Sequence, residues 1–121
     1  MIKKIECVCI ATKNVAESAA FYISLGLKQA WTIERPLPSG QVWTLTGLKF
    51  PDAASSELVL SDNPDVDFTE IELAVDDVRE SFAKMRGNPG ITWIREPFAT
   101  ESGHVAVMEA PDGNVFVLVG A

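Results

Sequence analysis

Ile5-Glu6-Cys7-Val8-Cys9-Ile10-Ala11-Thr12-Lys13-Asn14-Val15-Ala16-Glu17-Ser18-Ala19-Ala20 aligns without a gap on Phe68-Thr69-Glu70-Ile71-Glu72-Leu73-Ala74-Val75-Asp76-Asp77-Val78-Arg79-Glu80-Ser81-Phe82-Ala83. Ala11 falls on Ala74, Val15 on Val78, Glu17 on Glu80, Ser18 on Ser81 and Ala20 on Ala83, while Val8/Ile71 and Ile10/Leu73 match in character. Each copy opens with alternating apolar and polar residues, the pattern of a strand with one face against a helix. Each then reaches a helix start of the same chemistry. Asn14 and Asp77 are placed to accept the orphan N–H groups of the first turn, and Glu17 and Glu80, three residues on, to reach back to the cap's own N–H. Gly26 and Gly87 mark the helix ends, where left-handed backbone is favoured. Val15, Ala19 and Tyr22 share one face of the first helix, as do Val78, Phe82 and Met85 of the second.

Working outward, the residues after each helix read as three strands. In the first half these are Leu27 to Ile33, Gln41 to Thr46 and Ser56 to Leu60, with Pro36, Pro38, Ser39 and Gly40 as a break and Lys49 to Ser55 as a loop. In the second half they are Ile91 to Ile94, His104 to Met108 and Val115 to Val119, with Phe98 as a loop anchor and Ala110-Pro111-Asp112-Gly113-Asn114 as a tight turn. Each half is therefore expected to be β-α-β-β-β. The polar segment Ser61-Asp62-Asn63-Pro64-Asp65 lies at the boundary, giving one domain with module one at 1–61, a linker at 62–66 and module two at 67–121. Neither half, at roughly sixty residues, buries much surface alone, so the halves are expected to pair.

Composition narrows the function classes. The 121 residues are 47% hydrophobic and 22% charged, ordinary for a globular chain, with a formal charge of −7. Seventeen acidic against ten dispersed basic residues do not form a phosphate-binding stripe, so no nucleic-acid partner is expected. No apolar run approaches the roughly 20 residues that cross a bilayer, and Glu6 interrupts the apolar stretch behind the basic start, so neither a membrane span nor a secretory leader is expected. Cys7 and Cys9, two apart on a strand, point the same way but rarely close an unstrained disulfide, which suits a reducing cytoplasm.

The opening strand, the Asn14/Glu17 cap, Phe21-Tyr22, Leu25-Gly26-Leu27, Glu57-Leu58, Val75-Asp76-Asp77-Val78 and Pro111-Asp112-Gly113-Asn114 together resemble the vicinal oxygen chelate superfamily. That group contains glyoxalase I, extradiol dioxygenases, fosfomycin-resistance enzymes and bleomycin-resistance proteins. The resemblance spans the whole chain and implies an α+β fold of two tandem βαβββ modules in a cupped, mostly antiparallel sheet, completed by a homodimer. It also implies four metal-ligand positions, on the first and last strand of each module, which fall on Cys7, Glu57, Glu70 and Val117. Val117 cannot coordinate and stands where the family commonly has Glu, and neither expected histidine is present. A Cys/Glu/Glu set mixes thiolate, which favours Zn, with carboxylates that suit harder ions. The expectation is a cup without metal or other cofactor.

Strand parity assigns the cup's lining. With Val8 and Ile10 on the helix, Cys7 and Cys9 face the concavity, joined by Glu70 and Glu72, by Glu57, and by Val117. Carboxylates so grouped repel, so one takes up a proton or a cation compensates, and the expected ligand carries a positive or hydrogen-bond-donating group. The alternative is that these acids sit hydrated at the rim. Trp31 and Trp43, on neighbouring strands, are candidates for an aromatic wall on which a flat or cationic ligand stacks, or else plain core or dimer contacts, the same choice as for Trp93. His104 is a candidate ligand contact or general base, or an idle loop histidine. Cys7 is expected to be an inert buried group, since nearby carboxylates disfavour its thiolate. The expectation from these residues is a metal-independent, cytoplasmic, homodimeric binder of a small neutral or cationic organic molecule, resembling the bleomycin-resistance branch. The alternative is a divalent-metal lyase, isomerase or dioxygenase on Glu57, Glu70 and Cys7.

Overall fold

The computed structural model describes residues 1–121 and has the element order β1 (Ile2–Ala11), α1 (Val15–Ser24), β2 (Lys28–Pro36), β3 (Val42–Lys49), β4 (Glu57–Ser61), β5 (Glu70–Val75), α2 (Val78–Met85), β6 (Thr92–Thr100), β7 (Gly103–Glu109) and β8 (Val115–Gly120). The class is α+β, built from two βαβββ modules. The chain divides into two compact units, Cys7–Thr69 and Glu70–Ala121 with Met1–Glu6. In the second of these Lys3 Nζ donates to Asp76 Oδ1 at 2.9 Å, so the first six residues group with module two.

In Cys7–Thr69 the strand order is β2-β3-β4-β1, with β1 parallel to β4 and the other pairs antiparallel. In Glu70–Ala121 the order is β6-β7-β8-β5, with β5 parallel to β8. The registers match between copies. Cys7 opposes Glu57 as Glu70 opposes Val115, and Thr46 opposes Leu60 as Ala106 opposes Leu118. Each helix covers one face of its own sheet. Val15, Ala19, Leu27, Leu48 and Leu60 form the buried cluster under α1, with Ile10, Tyr22 and Leu58 against it. Val75, Val78, Met85, Ala106, Met108 and Leu118 form the cluster under α2, with Leu73, Trp93 and Phe116 against it.

The helix starts carry the expected caps. Asn14 Oδ1 accepts from the Glu17 N–H at 3.0 Å and Asp77 Oδ1 from the Glu80 N–H at 2.9 Å. The reciprocal half of the capping box is absent. The Asn14 N–H donates to Thr12 Oγ1 instead, and the Glu80 carboxylate accepts from Lys84 one turn on, in an i,i+4 ion pair. Gly26 takes φ +108° after α1, as its position demands, whereas Gly87 is not among the positive-φ residues. There α2 ends on Arg86 in helical geometry, and the Asn88 N–H donates to Met85 O.

The strands run longer than turn residues suggest. β3 continues through Lys49, which was expected to open a loop, because Lys49 still opposes Lys28. Phe98 is a strand residue of β6 rather than a loop anchor. β6 passes through Pro97 with register shifts on either side of Arg95 and Phe98 regains a partner in Val105. It lies at the end of the strand order in its module, and an edge strand with a bulge tolerates a proline's missing N–H.

Candidate functional site

Alternation along β1 holds. Ile10 packs under α1, and Cys7 and Cys9 are buried on the opposite face with Leu45 and Val59, under Trp31 and Trp43. Both cysteines are thiols, with no disulfide between them. The sheet places the tryptophans by register. On β2, Trp31 opposes Gly47 and Arg35 opposes Trp43. A Cβ on Gly47 would fall 2.6 Å from Trp31 Cζ2 and closer still to Cε2 and Nε1, so the indole occupies the space directly over the glycine. That position turns Trp31 Nε1 onto Glu57, and the N–H donates to Glu57 Oε1 at 2.9 Å. The Arg35 guanidinium carbon sits 5.6 Å from the Trp43 ring centre, within cation–π range. The face thus combines two half-buried indoles, one carboxylate and one guanidinium over a floor of two thiols and two aliphatic side chains. Arg35 and Gly47 were not anticipated as parts of this face. Counting in twos from Trp31 reaches Arg35, but Gly47 carries no side-chain signal and is exposed only by the register.

In module two the corresponding face is also opposite its helix. Glu70 and Glu72 alternate with Leu73, which packs under α2, and Val117 alternates with Leu118 and Phe116. Glu72 opposes Val117 across the parallel pair. Burial first, and the neighbouring Glu72 charge second, hold the Glu70 carboxyl above its ordinary range. A carboxylic acid kept protonated more readily can donate a hydrogen bond as well as accept one.

Two of the expected positions fall elsewhere. His104 lies on the α2 side of β7, two residues before Ala106 in the buried cluster, so it does not share a face with Glu70, Glu72 and Val117. It is not idle in solvent either. Its Nδ1 is buried without a partner. The pairing of Glu57 with Val117 as matching last-strand positions also fails. The registers make Glu57 the counterpart of Val115, and Val59 the counterpart of Val117. Trp93 belongs to the core, stacked edge-on against Phe82 with ring centres 4.7 Å apart.

These residues do not fit the divalent ion that the fold family implies. Within neither unit do three His, Cys, Asp or Glu side chains converge as ligands. Glu57 has one oxygen committed to an indole N–H, its partner strand supplies a thiol rather than an imidazole, and Val59 and Val117 have no donor atom.

The sequence matches the model of the Glyoxalase/Bleomycin resistance protein/Dioxygenase superfamily over residues 4–118. No curated protein matches it. Among solved structures, the chain is similar to a hypothetical protein from Bacillus halodurans C-125, at TM-score 0.75 and 20% identity over 98% of this chain and 94% of that one. It is similar to a variant of Streptomyces coelicolor methylmalonyl-CoA epimerase in complex with 2-nitronate-propionyl-CoA, at TM-score 0.76 and 19% identity over 100% and 96%. It is also similar to a glyoxalase/bleomycin resistance protein/dioxygenase superfamily member from Vibrio splendidus 12B01, at TM-score 0.66 and 13% identity over 95% and 97%. At these identities the structural likeness speaks to the fold, and the family match over nearly the full length carries the assignment: the chain belongs to the glyoxalase/bleomycin resistance protein/dioxygenase superfamily.

Proposed function

We propose that this protein is a metal-independent, homodimeric binding protein for a small organic molecule, neutral or cationic, held on the tryptophan face of module one. The observation that carries this reading is the bond from Trp31 Nε1 to Glu57 Oε1 beside Trp43. It fixes an indole plane next to a carboxylate, and aromatic faces attract flat and cationic groups while the second carboxylate oxygen accepts from a donor. The donor set argues in the same direction, since it does not complete a divalent-ion site.

The test is a thermal-shift series with benzyltrimethylammonium and its neutral isostere neopentylbenzene derivatives, on protein purified without chelator. A ligand that prefers the folded state at one hundred times its Kd stabilises by about 2.7 kcal/mol. The expected result is a concentration-dependent rise in Tm that disappears in Trp43→Ala and falls for the cation in Glu57→Gln. No shift with any compound, or a shift untouched by both substitutions, overturns the reading.

A second reading is a divalent-metal-dependent lyase, isomerase or dioxygenase. The fold likeness to structures of methylmalonyl-CoA epimerase favours it. Elemental analysis of the same preparation separates the two. Stoichiometric metal lost on Glu57→Ala would replace the first reading with the second.

A further inference from the structure

The internal repeat supplies its own control on which spaces this fold fills. In module two the space between α2 and the sheet is packed by Phe82 against Trp93, and Trp93 packs in turn against the buried cluster that contains Ala106. Helix and strand registers make Ala19, Gln29, Thr46 and Thr44 the counterparts of Phe82, Trp93, Ala106 and His104. Module one therefore has a methyl where its copy has a phenyl ring, and an exposed amide where its copy has an indole. The result is a cleft of ≈ 410 Å³ on the α1 side, lined by Ala19, Gln29, Thr32, Thr44, Thr46 and Asp62. It lies on the opposite face of the sheet from Cys7, Cys9 and the two tryptophans, as the parity of Thr46 and Leu48 against Leu45 shows.

The lining is ordered. Gln29 Nε2 donates to Thr32 Oγ1 at 2.9 Å, and the Thr32 and Thr46 hydroxyls are 3.0 Å apart. Asp62 Oδ1 accepts from the Thr44 N–H at 2.6 Å, which pins the carboxylate at the edge of the cleft. The Thr44 hydroxyl has no partner in the chain. The open Thr44 hydroxyl, the mutually bonded Thr32–Thr46 pair with the one hydroxyl proton it leaves over, one amide and one carboxylate oxygen offer donors and acceptors side by side, which matches a ligand that itself alternates them over short distances. Lys13 and Asp62 both line the cleft, one charge of each sign, so neither an anion nor a cation is preferred over a neutral molecule. The volume lies near the lower end of small-molecule sites, roughly 300–1,000 Å³.

We propose that the cleft between α1 and β2–β3 is a second binding site, selective for a small neutral polyhydroxylated molecule of monosaccharide size. The site is independent of the tryptophan face, and either stands without the other.

The experiment is a titration of ¹⁵N-labelled full-length protein with D-glucose and with myo-inositol, followed by amide chemical shifts, with glycine and inorganic phosphate as charged comparisons. Saturable shifts confined to Ala19, Thr32, Thr44 and Thr46 with at least one of the two polyols are expected. They are expected to vanish in the double variant Ala19→Phe, Gln29→Trp, which copies the packing of module two. If that variant does not fold, Thr44→Val with Thr46→Val removes two hydroxyls at near-constant volume and is expected to weaken binding about tenfold or more. No saturable shift with either polyol, shifts spread over the whole chain, shifts that survive both double variants, or tighter binding of glycine or phosphate overturns the proposal.

Discussion

Gly47→Ala tests the packing on which the tryptophan face depends. The glycine sits in the middle of β3 without a positive φ, so alanine would ordinarily stabilise it by about 0.4–1 kcal/mol through the unfolded chain. Trp31 reverses that sign. The new Cβ would fall 2.6 Å from the indole Cζ2, with Cε2 and Nε1 nearer, and the contact is with the body of the ring rather than a flexible tip. The ring must lift off the sheet, and the 2.9 Å bond to Glu57 breaks as it does. Overpacking of this kind costs about 1–3 kcal/mol, and a hydrogen bond to a charged group contributes about 1.5–3 kcal/mol. The two losses share one movement and do not add fully, so a net destabilisation of about 2–3 kcal/mol is expected, or about 8–12 °C in Tm for a chain of this length. Urea unfolding by circular dichroism measures it. The same substitution in a Trp31→Ala background is expected to be neutral or mildly stabilising, giving a coupling of about 3 kcal/mol in a double-mutant cycle. A wild-type-background change under about 0.5 kcal/mol, or an equal cost in both backgrounds, would refute the reasoning.

Three further predictions follow from other parts of the chain. Glu70 has its folded-state pKa raised, by burial and then by Glu72, so the folded form binds its proton more tightly than the unfolded form. Stability is thus lost as pH climbs from the unfolded value, 4.5, through the folded one. Glu70→Gln is expected to be more stable than the parent at neutral pH and indistinguishable from it below the unfolded pKa, and parallel urea curves across that range check this. Removing either cap, Asn14→Ala or Asp77→Ala, is expected to cost about 1 kcal/mol, the side-chain oxygens being acceptors for the Glu17 and Glu80 N–H groups. Equal stability of either variant and parent in urea would contradict the capping assignment. Gly120→Ala should be more severe, because its Cβ would meet the Val75 carbonyl oxygen, with Val75 Cγ2 at 3.3 Å. Backbone cannot swing aside, so β5 and β8 must part at their ends, and a loss of about 3 kcal/mol or more is expected in the same measurement.

Much of the fold was legible because its determinants are local. The strand-cap-helix pattern at Ile5 to Ala20 recurs at Phe68 to Ala83, and each copy carries its own acceptor at the helix start, so both modules could be read without any long-range contact. Period-two counting likewise put Cys7 and Cys9 opposite α1, since a pleated strand leaves each side chain only two directions. Phe98 was misread for the converse reason. Its strand is interrupted by Pro97, and only the pairing with Val105 shows that the strand resumes.

The sequence by itself determined the repeat, the helix starts and the parity of each strand, because these depend on residues within a turn or two of one another. Tertiary structure alone decided the register between strands, and with it everything chemical. It set Gly47 beneath Trp31, aimed that indole at Glu57, and matched Glu57 with Val115 instead of Val117. Register is a relation between segments far apart in the chain. A shift of one residue would turn every side chain to the other face, and no local pattern in either strand records which alignment the packed sheet adopts.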